Sequence, residues 1–193
     1  ECKTYLKRMR DGLGLIKKDS KVRKAFQYMN LAVLTQQIRY SHKTREWNEK
    51  GELEDQLKIN LKDKNTWPED WLGNWYSFQI GFILACIKGV AYPDSGDRNI
   101  VDTLWFPTGG GKTEAYLGLT AFTIFLRRIK NPDDAGTVTL MRYTLRLLTA
   151  QQFQRASSLI CAMEYIREKI SSPEILGSKR FAIGIWLGKS FTP

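Results

Sequence analysis

Three glycines stand in a row, Gly109, Gly110 and Gly111, between an apolar run ending at Phe106 and a stretch opening Lys112-Thr113-Glu114 with apolar residues at helical spacing. A backbone so bare has to turn there. Residues without a Cβ take left-handed torsions freely and let the loop wrap with its N–H groups pointing inward. Such a loop at the head of a helix gathers unpaired N–H groups at the positive end of the helix dipole, where an anion is favoured. The ammonium of Lys112 is placed to reach β- and γ-phosphates, and the hydroxyl of Thr113 to ligate Mg²⁺. The spacing points to a triphosphate cradle that also holds Mg²⁺. Thr108, Gly109, Gly110, Gly111, Lys112 and Thr113 would contact the nucleotide; Lys112 and Thr113 would act in catalysis, and Thr113 would hold the metal.

The flanking sequence predicts alternating elements. Residues 75–90 read as a buried helix, 100–106 as a buried strand, 111–130 as a helix ending in basic residues, 136–143 as a strand, 149–170 as a helix and 180–188 as a third strand. Strand, helix, strand, helix, strand predicts an α/β fold with a parallel sheet and right-handed crossovers. Ahead of it, Val22, Phe26, Met29, Val33, Leu34 and Ile38 recur at helical spacing between Ser20 and Arg39, which predicts one long amphipathic helix. The charged stretch after it carries Gly51 and Pro68 and predicts a short helix from Glu52 to Leu61 within a polar connection. A boundary near Asn65 divides the chain into an N-terminal helical segment, 1–65, and a second domain, 66–193.

Lysine and arginine number 30 against 20 acidic residues, a net charge of +10 that favours a polyanionic partner as readily as it solubilises a surface. The apolar run around Phe82 to Tyr92 is interrupted by Lys88 and is too short to span a bilayer, so no membrane association is expected. Cys2, Cys86 and Cys161 are odd in number and widely spaced, which fits reduced thiols in a cytoplasmic protein. His42 is the single histidine, which argues against a His-based metal site or a Ser-His-Asp triad within this chain; it reads as a helix-surface or turn residue.

The stretch Pro107 to Thr113, "PTGGGKT", resembles motif I of superfamily 2 helicases, with Phe106 where the general phosphate-loop pattern has glycine. The longer "WFPTGGGKTEAYLGLTAF" and "LMRYTLRLLTAQQFQRA", with "AFQYMNLAVLTQQIRYSH" upstream, resemble the large helicase subunit of the DISARM antiphage defence systems, over about Lys24 to Gly188. The resemblance implies a partial RecA-like P-loop domain working as an ATP-dependent helicase or translocase, with other defence-system subunits as partners. It implies that Gln79, in "YSFQIGF", reads adenine; a buried helix glutamine satisfied by backbone is the competing account. It also implies that the segment opening at Arg142 is motif Ia, gripping nucleic acid, DNA foremost, through its backbone.

That segment carries Arg142, Thr144, Arg146, Thr149, Gln151, Gln152 and Arg155, residue types that contact phosphate. Arg142, Thr144, Arg146, Gln151 and Gln152 are the candidate contacts; a solvated helix start would carry similar residues. Trp67, Trp71, Trp75 and Tyr76 recur every fourth residue and fit a core-facing helix stripe better than a base-stacking platform. Glu114 is explained by its place in a first helical turn. No strand-borne acidic motif follows, and the chain opens at Glu1 and ends at Pro193, as expected of an N-terminal portion of a larger protein holding half a catalytic site. A switch or assembly ATPase, and a DNA-binding scaffold with a vestigial loop, remain open alternatives.

Overall fold

A computed structural model of the chain describes residues 1–41, 45–55, 60, 63–66, 73–107, 109–143 and 146–186. Helix α1, Cys2–Lys18, ends at Asp19, whose extended backbone breaks the helical path. Asp19 Oδ1 then accepts from the backbone N–H groups of Lys21 at 2.8 Å and Val22 at 3.1 Å, capping α2, Ser20–Ser41. Its other carboxylate oxygen accepts from the Tyr92 hydroxyl at 3.0 Å, which ties this junction to the end of α3, Ser77–Ala91.

Helix α3 is apolar almost all round because it is covered on two sides, by α1 and by α4, Lys112–Lys130. The crossing with α1 is close: a Cβ on Gly12 would stand 2.0 Å from the Leu84 carbonyl oxygen, so only glycine lets the two backbones meet there. Helix α2 lies along α4, and α5, Arg146–Tyr165, packs on both before continuing into a π-helical turn, Ile166–Ile170. Val22, Met29, Phe82, Ile87, Phe122, Phe125, Leu159 and Met163 form one shared apolar core. Tyr28 packs on Phe125 with ring centres 5.4 Å apart.

The end of α4 is held by Arg128, a buried arginine that donates to the carbonyls of Asp134 at 2.9 Å, Leu176 at 2.8 Å and Lys179 at 2.6 Å. These bonds gather the loop after α4, the short helix α6, Pro173–Leu176, and the segment following it around one guanidinium. Among the described residues, no helix is long and apolar enough to cross a membrane.

The predicted α/β fold with a parallel sheet is corrected by the structure. The paired strands among the described residues are β1, Arg45–Trp47, and β2, Leu53–Asp55, joined antiparallel. Residues 100–106, 136–143 and 180–186 form neither helix nor paired strand. Alternation within a segment fixes which side chains share a face, whereas a strand also needs a hydrogen-bonding neighbour, and that partner is non-local. Here the helices close a core by packing on one another. Nor is the run 100–106 buried, since Val101 is 91% and Trp105 93% exposed.

The helix expected over Glu52 to Leu61 is also replaced, at 53–55, by strand β2. Asn48 Oδ1 accepts from the N–H groups of Lys50 at 3.0 Å and Glu52 at 2.8 Å, and Gly51 takes a left-handed φ of 72°. Asparagine followed three residues later by a left-handed glycine is hairpin chemistry, which overrides the helical leaning of the charged residues around it. His42, Trp67, Pro68 and Trp71 lie outside the described residues. Trp75 is half-buried, donates its indole N–H to Asn30 Oδ1 at 2.7 Å and packs over Gly118, whereas Tyr76 is exposed.

Candidate nucleotide site

The loop preceding α4 is shaped by its glycines. Gly109 and Gly111 have left-handed φ values of 83° and 86°, and the Gly110 N–H closes a turn on the Pro107 carbonyl at 3.2 Å. Gly111 is the N-cap of α4, so the unpaired N–H groups of the first helical turn begin beside Lys112 and Thr113. A side chain at Gly111 would meet a neighbour as well as an unfavourable torsion, since its Cβ would stand 2.8 Å from Gln79 Nε2. Thr108 lies outside the described residues.

Lys112 is turned back on its own loop. Its ammonium donates to the carbonyl oxygens of Phe106 and, at 3.1 Å, of Pro107. It therefore already sits at the loop's mouth, compensated by carbonyls that an anion could replace. Thr113 follows in the first turn, half-buried.

Gln79 comes from the first turn of α3 to the same place, although it is distant from the loop in sequence. Its Nε2 donates to the Gly111 carbonyl at 2.8 Å and its Oε1 accepts from the Tyr76 N–H at 2.8 Å. Both ends of this buried amide are thus engaged by backbone. Phe78, on the same turn, stacks on Phe106 with ring centres 3.9 Å apart, and Tyr76 extends the row at 6.2 Å from Phe78.

The segment leading into the loop is anchored from α1. Arg8 forks onto Asp102 with bonds of 2.6 and 2.8 Å, and both side chains are largely buried. Those hydrogen bonds hold the Asp102 carboxyl below the usual carboxylate range despite burial. Cys86 donates its thiol to the same carboxylate at 3.6 Å, and burial, then the Asp102 charge, push that thiol up to about 12. It is a structural thiol and no nucleophile at neutral pH.

The other candidate residues gather elsewhere. Arg142 is exposed and, with Gln152 and Thr149, lines a cavity of about 880 Å³ between α4, α5 and the segments 134–143 and 180–186. Gln152 directs a buried Oε1 that has no hydrogen-bond partner among the described residues, while Gln151 faces solvent. Thr144 lies outside the described residues, and Arg146 opens α5. The two groups are joined by a bridge the sequence does not signal: Arg155 on α5 donates to Glu114 in the first turn of α4.

No protein-family model matches the chain. No solved structure matches it either. Among curated proteins it is similar to DISARM protein DrmA of Bacillus paralicheniformis, with 39% identity over an alignment of 203 positions. The alignment takes in 100% of this chain and 16% of that protein. This chain therefore matches, along its whole length, a fragment of the large DISARM protein DrmA.

Proposed function

We propose that the chain carries the ATP-binding portion of a nucleic-acid-dependent helicase or translocase. Similarity to a DISARM protein supports a role in antiphage defence, in which further subunits are plausible partners. The observation that carries the nucleotide assignment is the left-handed pair Gly109 and Gly111 leading straight into the head of α4, with Lys112 beside them. The free N–H groups of a helix N-terminus and a nearby ammonium are what a polyphosphate needs.

On this reading Lys112 exchanges the carbonyls of Phe106 and Pro107 for the β- and γ-phosphates, and it stabilises charge as the terminal phosphoryl group leaves. The first-turn N–H groups of α4 orient the same phosphates. Among the described residues no three His, Cys, Asp or Glu side chains converge on a metal position. Mg²⁺ suits such a place when bound, because it keeps several waters and leans on phosphate oxygens, where it neutralises charge. Thr113 would be its protein ligand.

The exposed Arg142, with Arg146 at the head of α5, would hold a nucleic-acid backbone without reading sequence. Arg142→Ala and Arg146→Ala are each expected to lower the slope of log K against log salt by about one unit, equally across DNA sequences. A fluorescence titration over a salt series checks this. The reading as a whole is tested by ATP hydrolysis of the full-length protein with and without single-stranded DNA. Stimulated turnover supports it, and no turnover under either condition overturns it.

A further inference from the structure

Arg155 is placed where the two candidate regions meet. It lies one turn beyond Gln151 and Gln152 on α5, and its Nη2 donates to Glu114 Oε1. Glu114 stands two residues after Lys112, with its other carboxylate oxygen 3.7 Å from the point a Cβ on Gly111 would occupy. The backbone carbonyl of Arg155 accepts from Gln36 Nε2 of α2 at 2.7 Å, so the residue is fixed from a second helix. Tyr143, next to Arg142, feels the same charge: burial raises the Tyr143 hydroxyl and the Arg155 charge draws it back.

We infer that Arg155 is a positioning residue which, through its ion pair with Glu114, couples the nucleic-acid-contacting segment to the phosphate loop, a role that presupposes the nucleotide site proposed above. Phosphate arriving at the head of α4 brings negative charge toward Glu114. Arg155 offsets that repulsion only while α5 keeps its place against α4. A strand held by Arg142 and the start of α5 favours that same placement, so each ligand strengthens the other. The pair is half-exposed, with side-chain exposures of 37% and 26%, and such pairs contribute little to stability. The helices themselves are held by Leu117, Leu126, Leu159 and Met163, so breaking the pair leaves them packed.

The test is the affinity of the full-length protein for a single-stranded DNA oligonucleotide, measured with and without a non-hydrolysable ATP analogue. Wild type is expected to bind DNA at least about 5-fold more tightly with the analogue, the low end of ordinary coupling between sites. Glu114→Gln and Arg155→Ala should each bring that ratio close to one. The double variant should lose no more than either single change, because both remove one interaction. Arg155→Lys, which keeps the charge, should retain part of the ratio. Glu114→Gln should leave the salt dependence of DNA binding without nucleotide unchanged.

An undiminished ratio in the single variants, or additive losses in the double, overturns the proposal. So does an Arg155→Ala that lowers the salt slope while Glu114→Gln keeps full coupling, since Arg155 would then contact phosphate directly. A wild-type ratio of one with both ligands bound overturns the coupling and leaves the nucleotide site standing. A wild type that fails to bind the analogue at all removes the nucleotide site, and the coupling with it.

Discussion

Lys112→Ala in the full-length protein is expected to reduce DNA-stimulated ATP hydrolysis by at least about 10² to 10³, the loss typical when one preorganised charge stabiliser is removed. The fold should be untouched. The hydrogen bonds Lys112 makes go to the carbonyls of Phe106 and Pro107, both at an exposed edge of the loop, where water takes over when the ammonium is gone. The lysine is absent from the apolar core, so α4 keeps its packing against α2 and α3. Steady-state turnover together with a far-ultraviolet circular dichroism spectrum checks both halves. Near wild-type turnover in a folded variant would remove Lys112 from the chemistry.

Asp102→Asn is expected to act on the fold first and on the loop second. Arg8 is buried and spends its fork on this carboxylate, so the amide leaves a guanidinium without its closest counter-charge. Breaking one side of such a pair costs about 3 to 5 kcal/mol. Asp97 Oδ2 lies 3.9 Å from Arg8 Nε and compensates in part, which places the expected loss at the lower end, about 3 kcal/mol. In hydrogen-exchange measurements on the full-length protein, amides of α1 and the hydrogen-bonded amides of Arg98 and Ile100 should lose protection together. Unchanged protection would mean that the latch contributes nothing.

The same pair gives a pH dependence with a definite sign. Because Asp102 has its folded-state pKa lowered, its contribution is fully present above the unfolded carboxylate value of about 4. It is lost as pH falls below that value through the folded one, when the protonated carboxyl no longer answers Arg8. Protection of α1 should therefore fade selectively in acid in wild type, and Asp102→Asn should lack that step.

Local periodicity made the main helices legible. Val22, Phe26, Met29 and Val33 are enough to place α2, and the apolar runs on either side of Lys88 and after Lys112 give α3 and α4 to within a few residues. Helix α1 escapes the same reading because Gly12 and Gly14 lower its helix propensity; it is held by packing on α3, where Gly12 lets the two backbones meet at Leu84, a contact that only the packed structure contains. The three expected strands fail for a related reason. Their apolar runs are present, but a strand partner is a property of residues far away in the chain, and the helices here cover one another without it.

The candidate site divides along the same line. Gly109, Gly110, Gly111, Lys112 and Thr113 are contiguous, so their joint meaning could be read directly. That Gln79 reaches the loop, 32 residues away, was suggested only by resemblance, and the structure shows its amide held by Tyr76 and Gly111. Glu114 looks fully explained by the helix dipole until Arg155, 41 residues on, is seen beside it. Isolated charges on two helices carry no sequence signal of their pairing.

The nucleotide loop itself is tested most directly by equilibrium binding of ATP with Mg²⁺ to the full-length protein, wild type against Gly111→Ala. The left-handed φ of 86° disfavours alanine by about 1 to 2 kcal/mol, and the added Cβ would press on Gln79 Nε2 at 2.8 Å. Saturable binding by wild type and an affinity at least about tenfold weaker in Gly111→Ala are the predicted results. Equal affinity in the two proteins, or no binding by wild type, would contradict the assignment of this loop to a nucleotide.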